Sequence, residues 1–374
     1  MKKGKVKLKK VAAFVLMIAF LPTILKLTFP YITDFTAKAA FFSAAMTFPE
    51  GATQLMFKGN LLDDSEQNKQ TELLKNSSKS ENVSQSSNDN GILVNINSAE
   101  IQEVAEANRG TILSEQFPSS GSSSAFIKLE NGYIKNATSI SADRIREEIN
   151  KKPDFTIKNI SEPQVLIYHT HTTESYELTD RGYYDKTASA RTTNLARNVA
   201  VVGEQIANSL KAQGIGVIHD TMLHDYPSYN GGYTRSRKTV AEYLKQYPTI
   251  KVVLDIHRDA IERSDGVRVK PTVNINGKNA AQIMIISGCD DGTMNMPNWN
   301  MNLRFASLLQ KDICSTYPGL ARPILFDYRE YNFALMSGSL LIEVGGHANT
   351  LEEAAYSGKL LGNALVKTLN GLKE

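Results

Sequence analysis

Leu166-Ile-Tyr-His-Thr-His-Thr-Thr-Glu174 is the stretch from which the rest of the chain is read. An apolar run starting at Val165 leads without a polar break into two histidines and a carboxylate. A short strand buried on both faces and ending at a polar rim has this pattern. It recurs in Val252-Val-Leu-Asp-Ile-His-Arg-Asp259 and in Leu340-Leu-Ile-Glu-Val-Gly-Gly-His347. Helical periodicity lies between these runs: residues 193–212 carry Leu195, Val199, Val202, Ile206 and Leu210 and stop at Gly214. Further helices are predicted over residues 236–247, 300–317 and 350–369, and a strand over 215–219. Asn276-Gly277, between apolar runs at 267–275 and 281–287, is a two-residue hairpin signal. Alternating strands and helices predict an α/β fold over residues 161–374, with a mostly parallel sheet flanked by helices.

Upstream the composition changes twice. Residues 92–160 are mixed, with a strand predicted near 125–134 and a helix near 143–151, and read as a small N-terminal extension. Residues 36–91 read as a linker. From Leu61 to Gly91 they hold five aliphatic side chains and no aromatic one, too few to form a core. Residues 1–35 begin with six lysines among positions 2–10, followed by Val11-Ala-Ala-Phe-Val-Leu-Met-Ile-Ala-Phe-Leu-Pro-Thr-Ile-Leu25. A basic flank before an apolar run predicts a membrane anchor whose lysine end stays in the cytoplasm. A cleaved secretory signal is the alternative, with Ala37-Lys38-Ala39 as the small-residue site. Everything beyond the anchor is then extracytoplasmic.

The 374 residues carry a net charge of +3, and removing the six N-terminal lysines leaves −3. A body so close to neutral argues against nucleic acid as a partner. Two cysteines, Cys289 and Cys314, exclude a disulfide scaffold or a cysteine-rich zinc module.

Nearly all six histidines (His169, His171, His219, His224, His257 and His347) fall at predicted strand ends, which line the ligand crevice of open α/β sheets. His171 and Glu174 form an H-x-x-E pair, which brings an imidazole and a carboxylate to one cation, and His257 supplies a third ligand from a second strand. Two imidazoles, a carboxylate and an open fourth position suit catalytic zinc. His169 is either another ligand or a residue that orients one. Asp255, two positions before His257, can orient that imidazole. Arg258 can grip a substrate carboxylate or pair with Asp259. Glu343, embedded in an aliphatic strand, is the candidate general base. The aromatic stretch Tyr226-Pro-Ser-Tyr-Asn-Gly-Gly-Tyr233 reads as a surface loop, with a cleft wall as the alternative. No nucleophile elbow, phosphate loop or dinucleotide fingerprint occurs.

Four stretches in order carry a resemblance: LIYHTHTTESY at 166–176, DIHRDA at 255–260, NWNMNLRFA at 298–306 and LIEVGGHANTLEEA at 341–354. Together they resemble the stage II sporulation protein P family of endospore-forming bacteria, whose catalytic part is similar to zinc-dependent N-acetylmuramoyl-L-alanine amidases. The resemblance covers residues 160–370. It implies Zn2+ as cofactor and peptidoglycan as substrate, cut at the lactyl–alanine amide and at peptide cross-links. It also implies action outside the mother-cell membrane during engulfment, with stage II sporulation proteins D and M as partners. In the amidase group the second ligand is a glutamate ahead of the first helix. Thr193, Asn194 and Leu195 stand there in this chain, so Glu174 is the candidate in its place. A carboxypeptidase-like zinc peptidase and a non-catalytic wall-binding scaffold are the competing readings.

Overall fold

The computed structural model describes residues 101–158 and 160–374; the expected anchor and linker lie outside them. In chain order the strands and helices begin with β1 (Arg109–Glu115), β2 (Phe126–Lys128), β3 (Tyr133–Asn136), α1 (Ala142–Ile149), β4 (Val165–Tyr168) and β5 (Tyr183–Asp185). There follow α2 (Ala200–Ala212), β6 (Val217–His219), α3 (Gly232–Gln246), β7 (Val252–Asp259), β8 (Arg268–Ile275) and β9 (Lys278–Ala281). The chain closes with β10 (Ile283–Cys289), α4 (Trp299–Thr316), β11 (Ile324–Tyr328), β12 (Ser339–Gly346) and α5 (Leu351–Asn370). Among the described residues no helix is long and apolar enough to cross a membrane.

Two sheets form, of order β2-β3-β11-β10-β12-β7-β4-β6 and β5-β1-β8-β9. The α/β class holds, but the expectation of a mostly parallel sheet is corrected to mixed sheets. β12, β7, β4 and β6 run parallel, whereas β10 lies antiparallel to β12 and β2 to β3. In the second sheet β5–β1 and β8–β9 are antiparallel. Connection length is the reason for the hairpins β2–β3 and β8–β9, since a parallel neighbour needs a crossover of roughly a dozen residues or more. The Asn276-Gly277 turn, with both residues at positive φ, folds β9 straight back on β8. Only Gln282 then separates β9 from β10, where the chain passes from the smaller sheet into the larger. The 92–160 segment contributes strands to both sheets: β1 pairs with β8, and β2–β3 extend the larger sheet through β11.

The larger sheet owes its centre to unbroken aliphatic strands. Val252, Leu254, Ile256, Leu340, Ile342 and Val344 are fully or almost fully buried, as a sheet covered on both faces requires. Val202, Ile206 and Leu210 recur one helical turn apart and give α2 its buried stripe. That stripe packs on α5, where a Cβ at Gly362 would press on Ser209. The α5 start is fixed by a reciprocal cap between Thr350 and Glu353. Cys289 and Cys314 are free thiols, and burial pushes the Cys289 thiol up to about 12.

The helix expected over 193–212 is shortened to α2, which starts at Ala200. Residues 193–199 instead close on the segment after β4. Thr192 N–H donates to Thr173 O at 2.7 Å and Val199 N–H to Glu174 O at 2.9 Å. Leu195, counted in the apolar stripe, is 41% exposed. Val199 keeps its place in the core, so only Leu195 fits the pattern by coincidence, and the segment's backbone holds a loop in place.

Candidate metal centre

β7 lies between β12 and β4 in the middle of the larger sheet. Asp255 and His257, two apart on β7, share a face. Glu343 of β12 pairs in register with His257 and Leu341 with Asp255, so Glu343 stands beside His257. β4 ends at Tyr168, and a tight turn follows in which Glu174 N–H donates to His171 O at 3.1 Å. This turn converts H-x-x-E spacing into contact: His171 Nδ1 lies 3.4 Å from Glu174 Oε1. From the neighbouring strand His257 Nδ1 lies 3.5 Å from Glu174 Oε2. One ligand atom from each of the three buried residues falls within 4.8 Å of the others.

Three observations make this group fit a metal ion. Both Nδ1 atoms are buried without a hydrogen-bond partner among the described residues. Their distances to the carboxylate are long for hydrogen bonds, so the arrangement converges on a point between the groups. Two nitrogens and a carboxylate oxygen form the donor set that zinc takes in catalytic sites, leaving a fourth position.

The surroundings orient these groups. Asp255 Oδ1 lies 2.8 Å from His257 Nε2, the nitrogen turned away from Glu174. Asp255 is itself held by Thr170, whose N–H and Oγ1 donate at 2.8 and 2.6 Å. The Arg258 N–H donates to Glu174 Oε2 at 3.0 Å. Burial alone would raise the Glu174 carboxyl, but His171 and then His257 beside it hold it well below the usual range. Burial would lower the His257 imidazole, yet Asp255 and then Glu174 raise it well above its ordinary value. A metal takes the neutral imidazole, so a cation bound here would compete with protons for His257.

His169 is not brought to this group. Its Nδ1 meets Ile256 O at 2.8 Å and its Nε2 meets His219 Nε2 at 2.9 Å, so neither nitrogen is spare. β4 stops at Tyr168, before either histidine, so strand alternation does not set where His169 and His171 point. Burial, with His219 adjacent, pushes His169 down to about 3. Arg258 is not open to substrate either. It is 6% exposed, and its guanidinium donates to Ser175 O and Ala190 O at 2.8 Å each, and to Asp259 O at 3.3 Å. It ties the loop around Glu174 to β7.

The aromatic stretch takes its alternative reading, a cleft wall, and one further residue, Arg191, was not foreseen. Tyr229 stacks on His171 with centroids 4.5 Å apart, and Tyr233 lies parallel to His257 at 6.5 Å. The aromatic loop read as surface is thus a wall of the site. Arg191 reaches Asp225 at 2.7 Å and lies 3.6 Å from Glu174 Oε1. An arginine in a turn-rich segment gives no sequence signal for this, because loop closure alone brings it there.

The fold and the site together define a mixed α/β protein carrying a buried His–Glu–His donor set beside a glutamate. Comparison with known proteins narrows the class. The family described as Stage II sporulation protein P matches residues 40–366, and this chain belongs to it. The stage II sporulation protein P of Bacillus subtilis (strain 168) is 32% identical over 200 residues, which is 50% of this chain and 47% of that protein. The match thus spans about half the length of that curated relative. Among solved structures, the amidase AmiC2 of Nostoc punctiforme is 14% identical, covering 56% of this chain and 96% of that one, with a TM-score of 0.34. The CwlD amidase of Clostridioides difficile, solved with the GerS lipoprotein, is 13% identical over 56% and 98% of the two chains, with a TM-score of 0.35.

Proposed function

We propose that this chain is a membrane-anchored, zinc-dependent peptidoglycan hydrolase acting in sporulation. It cleaves the amide between N-acetylmuramic acid and the stem peptide, with peptide cross-links as a further target. The observation that carries this reading is the convergence of His171, Glu174 and His257 with their Nδ1 atoms left over. Zinc bound there supplies a Lewis acid and acidifies water. Asp255 and the Arg258 N–H fix the orientation of His257 and Glu174. Glu343 takes a proton from the attacking water and delivers it to the departing alanine nitrogen. The amide C–N bond breaks, leaving a carboxylate on the lactyl group and a free amino group on the peptide. Tyr229 and Tyr233 give the substrate an apolar wall.

The six lysines before the apolar run at 11–25 support an anchor in the mother-cell membrane with the catalytic unit outside. Family membership supports stage II sporulation proteins D and M as partners at that membrane. Metal analysis of the purified chain, beside digestion of purified sacculi, tests the reading. The expected result is stoichiometric zinc, newly exposed alanine amino groups, and loss of both on chelation. Release of terminal amino acids would assign a carboxypeptidase, and an inert zinc-loaded chain would assign a scaffold.

A further inference from the structure

A cleft of about 450 Å³ opens beside the candidate metal centre, beginning at Ser175, one residue past Glu174. Its lining is rich in guanidinium groups: Arg181, Arg191, Arg197 and Arg268 against the acids Glu177 and Asp185. Two lining atoms are buried without a hydrogen-bond partner among the described residues, Arg181 Nε and His347 Nε2. Each costs free energy as it stands, and both are where a bound polar group would satisfy them. Two of these arginines also meet a carboxylate of the chain at long range, Arg181 Nη2 at 3.4 Å from Glu177 Oε2 and Arg268 Nε at 3.3 Å from Glu262 Oε2. Arg181 donates to Gln102 O at 3.0 Å, and Arg268 lies 3.6 Å above the Tyr184 ring. Burial, with Arg258 and Arg268 nearby, holds the His347 imidazole neutral, so it adds a hydrogen-bonding group without adding charge.

We propose that this cleft is a carboxylate-binding subsite that holds the acidic peptide portion of the substrate, with Arg181 and Arg268 as its charged contacts and His347 Nε2 as a further hydrogen-bonding one. The assignment rests on the hydrolase reading and on the cleft's adjacency to the metal centre through Ser175 and Arg191, which lies 3.6 Å from Glu174 Oε1. A volume of this size suits a few residues of extended peptide. Guanidinium forks recognise planar carboxylates in preference to neutral amides.

Equilibrium binding to the full-length chain in detergent micelles tests it. The probes are a short synthetic peptide with two free carboxylates, its bis-amide, and polyglycerol phosphate. The dicarboxylate is expected to bind about tenfold or more tighter than the bis-amide, and Arg181→Gln or Arg268→Gln to remove most of that preference. Thermal unfolding is run on both variants, so that if one fails to fold the other decides. Equal affinity for acid and amide, or an undiminished preference in a folded variant, overturns the subsite. Competition by polyglycerol phosphate as strong as that by the dicarboxylate overturns its assignment to peptide. Digestion of sacculi is followed in parallel. Turnover without a carboxylate preference overturns the subsite alone, whereas preference without turnover supports the subsite and overturns the hydrolase reading.

Discussion

His169 and His171 stand two residues apart and are treated by the fold in opposite ways. His169 is saturated: one nitrogen meets Ile256 O, the other His219, and His219 in turn meets Glu204 at 3.2 Å. A Cβ at Gly203 would collide with both imidazoles, so glycine there makes room for the pair. His171 is equally buried, yet its Nδ1 faces a carboxylate at 3.4 Å without a proper hydrogen bond. Burial is common to the two, so it does not mark a ligand. The leftover nitrogen does, because a fold that satisfies one imidazole completely and leaves its neighbour open is keeping a place for something else.

Removing ligands gives the largest expected effect. His257→Ala should lose stoichiometric zinc and sacculus turnover together, since a three-ligand site does not survive the loss of one imidazole. Elemental analysis beside an activity assay checks it, and full metal content in the variant breaks the contrast. Glu343→Gln should keep its zinc and its fold while turnover drops by roughly 10²- to 10⁴-fold, the range for positioned acid–base catalysis. Loss of zinc would make Glu343 a ligand, and near-normal turnover would move the base elsewhere. Asp255→Asn should weaken zinc binding by about 10- to 100-fold through misorientation of His257, as read by competition with a metal chelator.

The smallest effect sharpens the other half of the comparison. His169→Gln should retain zinc and change only how stability depends on pH. With a folded pKa of about 3 against an unfolded one of about 6.5, the unfolded state binds the extra proton between those values. Stability therefore falls as pH drops from about 6.5 toward 3. Chemical denaturation across that window should show a shallower fall for His169→Gln than for the parent chain. An unchanged slope would mean that His169 is protonated in the folded protein.

What could be read beforehand divides along physical lines. The aliphatic runs of β4, β7 and β12 and the polar residues closing them were legible, because burial on both faces leaves an unbroken apolar signature. The Asn276-Gly277 turn was legible for a similarly local reason, its positive φ angles. Strand direction was not, since β10 and β12 meet only after α4 and β11 intervene, and periodicity carries no information on such a non-local pairing. The same limit applied to the site. H-x-x-E and the distant His257 were visible as candidates, but their separation from His169 depended on where β4 stops. Tyr229, Tyr233 and Arg191 reach the centre through loops whose closure is set by tertiary contacts such as Thr192 to Thr173.

The most direct test measures metal content in the parent chain, His171→Ala and His169→Gln, purified side by side under one protocol. A stoichiometric zinc ion is expected in the parent and in His169→Gln, and none in His171→Ala. A metal-free parent chain, or an ion that persists in His171→Ala and disappears in His169→Gln, would contradict this expectation.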